Sequence, residues 1–136
     1  MAAKAIVDAS IIVKWFIEED YTKQALEIRD KFANGDLQIL APSLLNFEVL
    51  NALRYSGLFN KKELKELAGA IGKYGFKLQN LIGDYAELTA DIANGRDLSI
   101  YDASYIALAE FYDIVLYSFD KKIIENCKLA VLASLQ

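Results

Sequence analysis

Short apolar runs of strand length alternate along this chain with longer stretches of helical period. Residues 4–7 read as a buried strand that stops at Asp8, and Ser10 can cap a short helix through residue 17. Residues 20–34 are amphipathic, with Ala25, Leu26, Ile28 and Phe32 near helical spacing and an Asn34-Gly35 stop. A second strand is expected over 37–41. Pro42 then stands where a helix can open without losing a hydrogen bond, and that helix reaches residue 55 or 56 before Gly57. Asn60 with Glu63 is a capping-box pattern for a helix to about residue 74. Next come a strand over 76–80, a helix over 84–94 closing at Asn94-Gly95, and a helix opened by Ser99 with Asp102 that runs to residue 112. A strand over 114–117, a short helix over 120–126 and a strand over 130–132 complete the series. Strands separated by helices in this way form βαβ units, because a parallel neighbour can be reached only by a crossover. The expectation is an α/β fold, a parallel sheet of about five strands flanked by helices on both faces.

The 136 residues suit one domain, 1–136, with no linker, repeat or low-complexity segment, and 54% hydrophobic residues are enough for its core. No apolar run reaches the roughly 18 residues of a membrane span. The N-terminal apolar segment is broken by Asp8 and Lys14 and lacks a small-residue cleavage pattern, which points away from a signal peptide. The single cysteine, Cys127, cannot form an internal disulfide, and the cytoplasm is the expected compartment. There is no histidine. That excludes Ser-His-Asp and Cys-His catalysis and histidine-held zinc, and leaves carboxylates, hydroxyls, lysines or an oxygen-ligated metal.

Four acids stand where such chemistry could gather. In open parallel sheets the ligand crevice lies outside the carboxyl ends of the strands where strand order reverses. That rule singles out Asp8, after the first strand, and Asp120, after the fourth. Each also has a plain structural explanation, Asp8 as a turn residue and Asp120 as a helix cap. Asp102 fits the third helical position under Ser99, where an acid favours the helix, and Glu48 alone in an apolar helix reads as part of an exposed stripe shared with Asn51. Together, however, two acids end neighbouring strands and two lie on helices beside them. Converging carboxylates repel, and a divalent cation relieves the repulsion. All-oxygen ligands favour Mg²⁺ or Mn²⁺ and suit phosphodiester hydrolysis.

Net charge is −4, a poor match to broad binding of nucleic acid, but the charge is segregated. Residues 54–77 carry six basic and two acidic side chains, while 78–113 carry seven acids and one arginine. The first segment could meet phosphates, or it could be a solvated helix face.

Residues 6–16, Ile-Val-Asp-Ala-Ser-Ile-Ile-Val-Lys-Trp-Phe, resemble the opening of VapC-type PIN domains. Residues 47–53 around Glu48 look like that family's second motif, and 101–110, Tyr-Asp-Ala-Ser-Tyr-Ile-Ala-Leu-Ala-Glu, match its third. Ser118-Phe119-Asp120 resembles its fourth, with Ser in place of the usual Thr. The resemblance spans essentially the whole chain. It implies an Mg²⁺- or Mn²⁺-dependent endoribonuclease, frequently homodimeric, whose VapB-type antitoxin inserts a segment into the site. By position it makes Asp8, Glu48, Asp102 and Asp120 metal ligands, direct or through water, with Ser10 and Ser118 supporting them. Lys14, Arg54, Lys61, Lys62 and Lys65 become candidates for RNA phosphates. Tyr55, Phe59, Tyr74 and Phe76 are candidates for base stacking or for packing. Other readings stay open: an inactive PIN-like binding module, a nuclease acting on DNA, and a phosphoacceptor receiver domain. The last lacks its acidic pair at the first strand and a lysine after the fifth.

Overall fold

The computed structural model describes residues 2–132. In chain order the elements are β1 (Ala3–Val7), α1 (Ala9–Val13), α2 (Thr22–Ala33), β2 (Leu37–Pro42), α3 (Leu45–Tyr55) and α4 (Lys61–Gly72). They continue with β3 (Lys77–Gln79), α5 (Gly83–Arg96), α6 (Ile100–Tyr112), β4 (Leu116–Ser118), α7 (Lys121–Glu125) and β5 (Ala130–Leu132). The strands form one sheet in the order β3-β2-β1-β4-β5, each pair parallel, so the expected α/β fold is found.

The chain leaves β1 toward β2 and β3, then returns to the other side of β1 with β4 and β5. Right-handed crossovers therefore put α1 to α4 on one face and α5 to α7 on the other. The reversal lies between β1 and β4, and the carboxyl ends of these two strands meet there, Ile6 pairing with Leu116 and Val7 with Tyr117.

The core follows from the apolar pattern. Ala5, Ile6 and Val7 are fully buried in the central strand, and Leu45, Val49 and Leu53 bury one face of α3 at four-residue intervals. From Ala103 to Ala109 every residue of α6 is buried, as expected of a helix apolar all round and enclosed by its neighbours.

Several boundaries differ from the sequence reading for local reasons. Asp8, not Ser10, caps α1, which ends at Val13 and continues as tighter turns through Ile17. Pro42 closes β2 instead of opening α3, its fixed φ suiting the strand; it pairs with Gln79, and Ser43 donates its N–H to the Gln79 carbonyl. Helix α2 starts only at Thr22, after Tyr21 in the left-handed region. Helix α5 runs through Asn94-Gly95 to Arg96, and Asp97 takes the left-handed cap at φ 52°. Its last turn is held by Arg96, which makes a two-pronged ion pair with Glu110 on α6 at 2.7 and 3.1 Å. Ile114 is taken up in closing α6 by its bond to the Ala109 carbonyl, so β4 starts later and extends to Ser118.

Candidate active site

Asp8 leaves β1 and at once caps α1, its Oδ1 accepting the Ser10 N–H at 3.1 Å. Two serine hydroxyls complete the grip: Ser10 donates to Oδ1 and Ser118 to Oδ2, both at 2.5 Å. Each serine oxygen also accepts a backbone N–H from the link after β4. Ser10 takes that of Phe119 at 3.0 Å, and Ser118 takes that of Asp120 at 2.8 Å. The carboxyl ends of β1 and β4 are thus sewn together through one carboxylate and two hydroxyls. Asp8 is 3% exposed. Burial pushes its carboxyl up to about 6, against the two serine bonds that lower it, and Asp120 raises it further.

Asp120 caps α7, with Oδ1 accepting from Lys122 N–H at 2.9 Å and Ile123 N–H at 3.3 Å, so Oδ2 lies outside the cap bonds. Its structural explanation is therefore correct, and still leaves an oxygen for other work. Asp102 stands in the first turn of α6, its N–H donating to Ser99 Oγ at 3.0 Å. Partial burial raises its carboxyl and Asp120 adds to this, while Lys122 pulls it down. Glu48 is half-buried on α3, not part of an exposed stripe. Burial raises it, a hydrogen bond from Tyr105 lowers it, and Asp102 and Asp120 raise it again.

The four predicted acids therefore share one electrostatic neighbourhood at the switch point. Among the described residues no three acidic or cysteine side chains converge as a ready group for a metal ion, so the arrangement is open.

A cleft of about 440 Å³ runs from Glu48 along α3 to α4, lined by Phe47, Leu50, Asn51, Arg54 and Leu64. Arg54 lies on this cleft with its guanidinium over the Tyr55 ring. Lys61, Lys62 and Lys65 are exposed on α4 but do not line it. Lys14 is set apart from them. Its side chain is 12% exposed, paired with Glu19 at 3.2 Å and seated over the Phe119 ring. Tyr74 and Phe76 pack with Trp15 and Phe32 as an aromatic cluster, which makes them packing residues. Phe59 also packs on the core, whereas Tyr55 is exposed. A second cleft, about 750 Å³ around Arg96, Glu110 and Cys127, holds none of the four acids.

Tyr105 belongs to the site and was not expected there. Its hydroxyl donates to Glu48 Oε1 at 2.6 Å, and the phenol is held far above its ordinary range by burial and by Glu48. A signal existed: a tyrosine in an apolar helical run needs a partner for its hydroxyl, and Tyr105 lies three residues beyond Asp102 on the same face.

The PIN domain family model matches residues 5–129. No curated protein matches the sequence. Among solved structures, PAE2754 from Pyrobaculum aerophilum is 25% identical, with 99% of this chain and 93% of that one covered and a TM-score of 0.68. A toxin–antitoxin complex from Klebsiella pneumoniae is 20% identical, with 95% and 97% covered and a TM-score of 0.67. VapC20 of Mycobacterium tuberculosis, described as a sarcin–ricin loop cleaving toxin, is 17% identical, with 88% and 92% covered and a TM-score of 0.66.

Proposed function

This chain belongs to the PIN domain family, and on that premise we propose that it is an Mg²⁺- or Mn²⁺-dependent endoribonuclease, the toxin half of a VapBC-type pair. We propose further that it works in the cytoplasm as a single domain over residues 1–136. One observation carries the reading: Ser10 and Ser118 brace Asp8 at the β1–β4 junction, Ser118 also ties Asp120 to it, and Asp120 lies in the field of Glu48 and Asp102.

The donor set fits the cation. It is oxygen only, and an open set of carboxylates suits a hard ion that keeps several waters. Asp8, Glu48, Asp102 and Asp120 would hold it, directly or through water. When bound, such an ion polarises the scissile phosphate and offsets the charge that builds on it. Ser10 and Ser118 fix Asp8 in one orientation before any ligand arrives, so little side-chain freedom is left to lose. Arg54, with Lys61, Lys62 and Lys65 on the adjoining helix, would hold RNA phosphates, and exposed Tyr55 could stack a base. Lys14 would have to release Glu19 to join them.

A VapB-type antitoxin would enter along the mainly apolar cleft that ends at Glu48. A homodimer finds support in the exposed apolar residues Leu81, Ile82, Ile100 and Tyr101, next to Asp102. Among the described residues no helix is long and apolar enough to cross a membrane.

The test is incubation of the protein with total RNA and with single-stranded DNA in Mg²⁺, in Mn²⁺ and in EDTA, beside Asp102→Asn. Discrete RNA cleavage that requires metal and vanishes in the variant is expected. Cleavage of DNA alone would move the substrate to DNA. No cleavage of either, with no heat of metal binding by calorimetry, would leave an inactive binding module.

A further inference from the structure

We propose that Tyr105 is the positioning residue for Glu48, an inference that rests on the metal-dependent reading above. Glu48 sits on α3 beside Phe47, which is 79% exposed, and it lines an open cleft. A glutamate there has three side-chain torsions and, among the described residues, no ion pair to hold it. The restraint on it is the Tyr105 hydroxyl, which donates to Oε1 at 2.6 Å. Tyr105 is itself enclosed, 2% exposed within the buried run of α6. The rigidity of the core is thereby passed to a carboxylate that otherwise faces solvent.

The bond also ties together two faces of the fold. Helix α3 belongs to the crossover from β2 to β3, and α6 to the crossover from β3 to β4. Asp102 and Tyr105, three residues apart, share a face of α6. One helix thus supplies Asp102 directly and sets Glu48 through Tyr105, while Oε2 of Glu48 stays outside the bond and available to a cation. Pinning a carboxylate by a hydroxyl is the usual task of groups that orient metal ligands, and losing such a group typically weakens metal binding roughly 10- to 100-fold.

The experiment is calorimetric titration of Mn²⁺ into the wild type, Tyr105→Phe, Glu48→Gln and the double variant, with a thermal melt of each. Tyr105→Phe keeps the ring and removes only the donor. The expected result is Mn²⁺ binding about tenfold weaker in Tyr105→Phe, with melting little changed, and no further loss when the change is made in Glu48→Gln. With RNA, kcat should fall and KM stay near the wild-type value. Unchanged Mn²⁺ affinity in Tyr105→Phe, or a loss that adds in full to that of Glu48→Gln, overturns the proposal while leaving the nuclease reading in place. If the wild type takes up no Mn²⁺, the metal reading itself fails and the role of Tyr105 fails with it. Should Tyr105→Phe not fold, Glu48→Asp draws the carboxylate back from the hydroxyl without touching the core. Unweakened Mn²⁺ binding in that variant counts equally against the proposal.

Discussion

Asp8 shows how a buried acid can be costly to the fold and useful to the site. Its carboxyl titrates at about 6 in the folded chain against an ordinary 3.8, so the folded state holds the proton more tightly than the unfolded one. Stability from this group is therefore full in acid and is lost as pH rises through about 6, by roughly 3 kcal/mol at neutrality. In EDTA, the difference in unfolding free energy between Asp8→Asn and wild type should grow from near zero at acid pH to about 1–3 kcal/mol in favour of the variant at neutral pH. Denaturant melts across that range check it, and a difference that shrinks with rising pH would contradict the raised carboxyl. Mn²⁺ should raise the melting temperature of the wild type at neutral pH and leave Asp8→Asn nearly unmoved. Ser118 is the second lever at this scale. Ser118→Ala removes a buried donor to Asp8 and orphans the Asp120 N–H, which should cost about 1–3 kcal/mol in the same melts and lower cleavage at least tenfold.

At the scale of elements, three of the acids could be picked out in the sequence by local rules, Asp8 at a strand end, Asp120 at a cap and Asp102 in a first helical turn, whereas Glu48 stood out only as a lone acid in an apolar helix. Element boundaries were less so, where tertiary contacts outweigh local signals. Gly95 looks like a stop, but Arg96 gains Glu110 by extending α5 two residues further, and Asp97 can adopt the left-handed cap in its place. Pro42 looks like a helix start, yet pairing with Gln79 keeps it in the strand. Tyr105 and Glu48 lie 57 residues apart. No local pattern joins them, which is why the contact stayed hidden although both residues could be read singly. The basic segment belongs to this scale too. Lys61, Lys62 and Lys65 open α4 beside the cleft that holds Glu48 and Arg54. Reversing all three to glutamate should weaken RNA binding at least tenfold and flatten its dependence on salt, because counterion release scales with the phosphates contacted. Filter binding over a salt series reads this directly; an unchanged slope would return the three lysines to a solvated face.

For the molecule as a whole, net charge and exposed apolar surface pose one problem together. On the RNA reading proposed above, a chain of net charge −4 would have to present its carboxylates to a polyanion, and the face that carries them would benefit from being enclosed. Next to Asp102 the surface is apolar: Ile82 is 73% exposed, Tyr101 63%, and Leu81 and Ile100 45% each. A narrow apolar cleft lined by Pro42, Leu81, Tyr85 and Ile100 lies among them. Apolar surface of this kind beside a charged site is what a self-complementary two-fold contact requires, since the same patch then serves both copies. A stable dimer needs about 800 Å² covered on each copy, and this patch would stand at the centre of such a contact. Sedimentation of the purified chain should therefore give twice the monomer mass. Ile82→Glu places like charges opposite each other at the contact and should give a monomer. Ile82 lies outside the core, so the fold should survive the change, as a melt would register. If the monomer cleaves RNA as well as the dimer does, pairing is a matter of stability alone. If it retains its metal but loses cleavage, each copy needs the other to complete the path of the substrate. A wild-type chain that sediments as a monomer would free the patch for another occupant and remove the homodimer from the proposal.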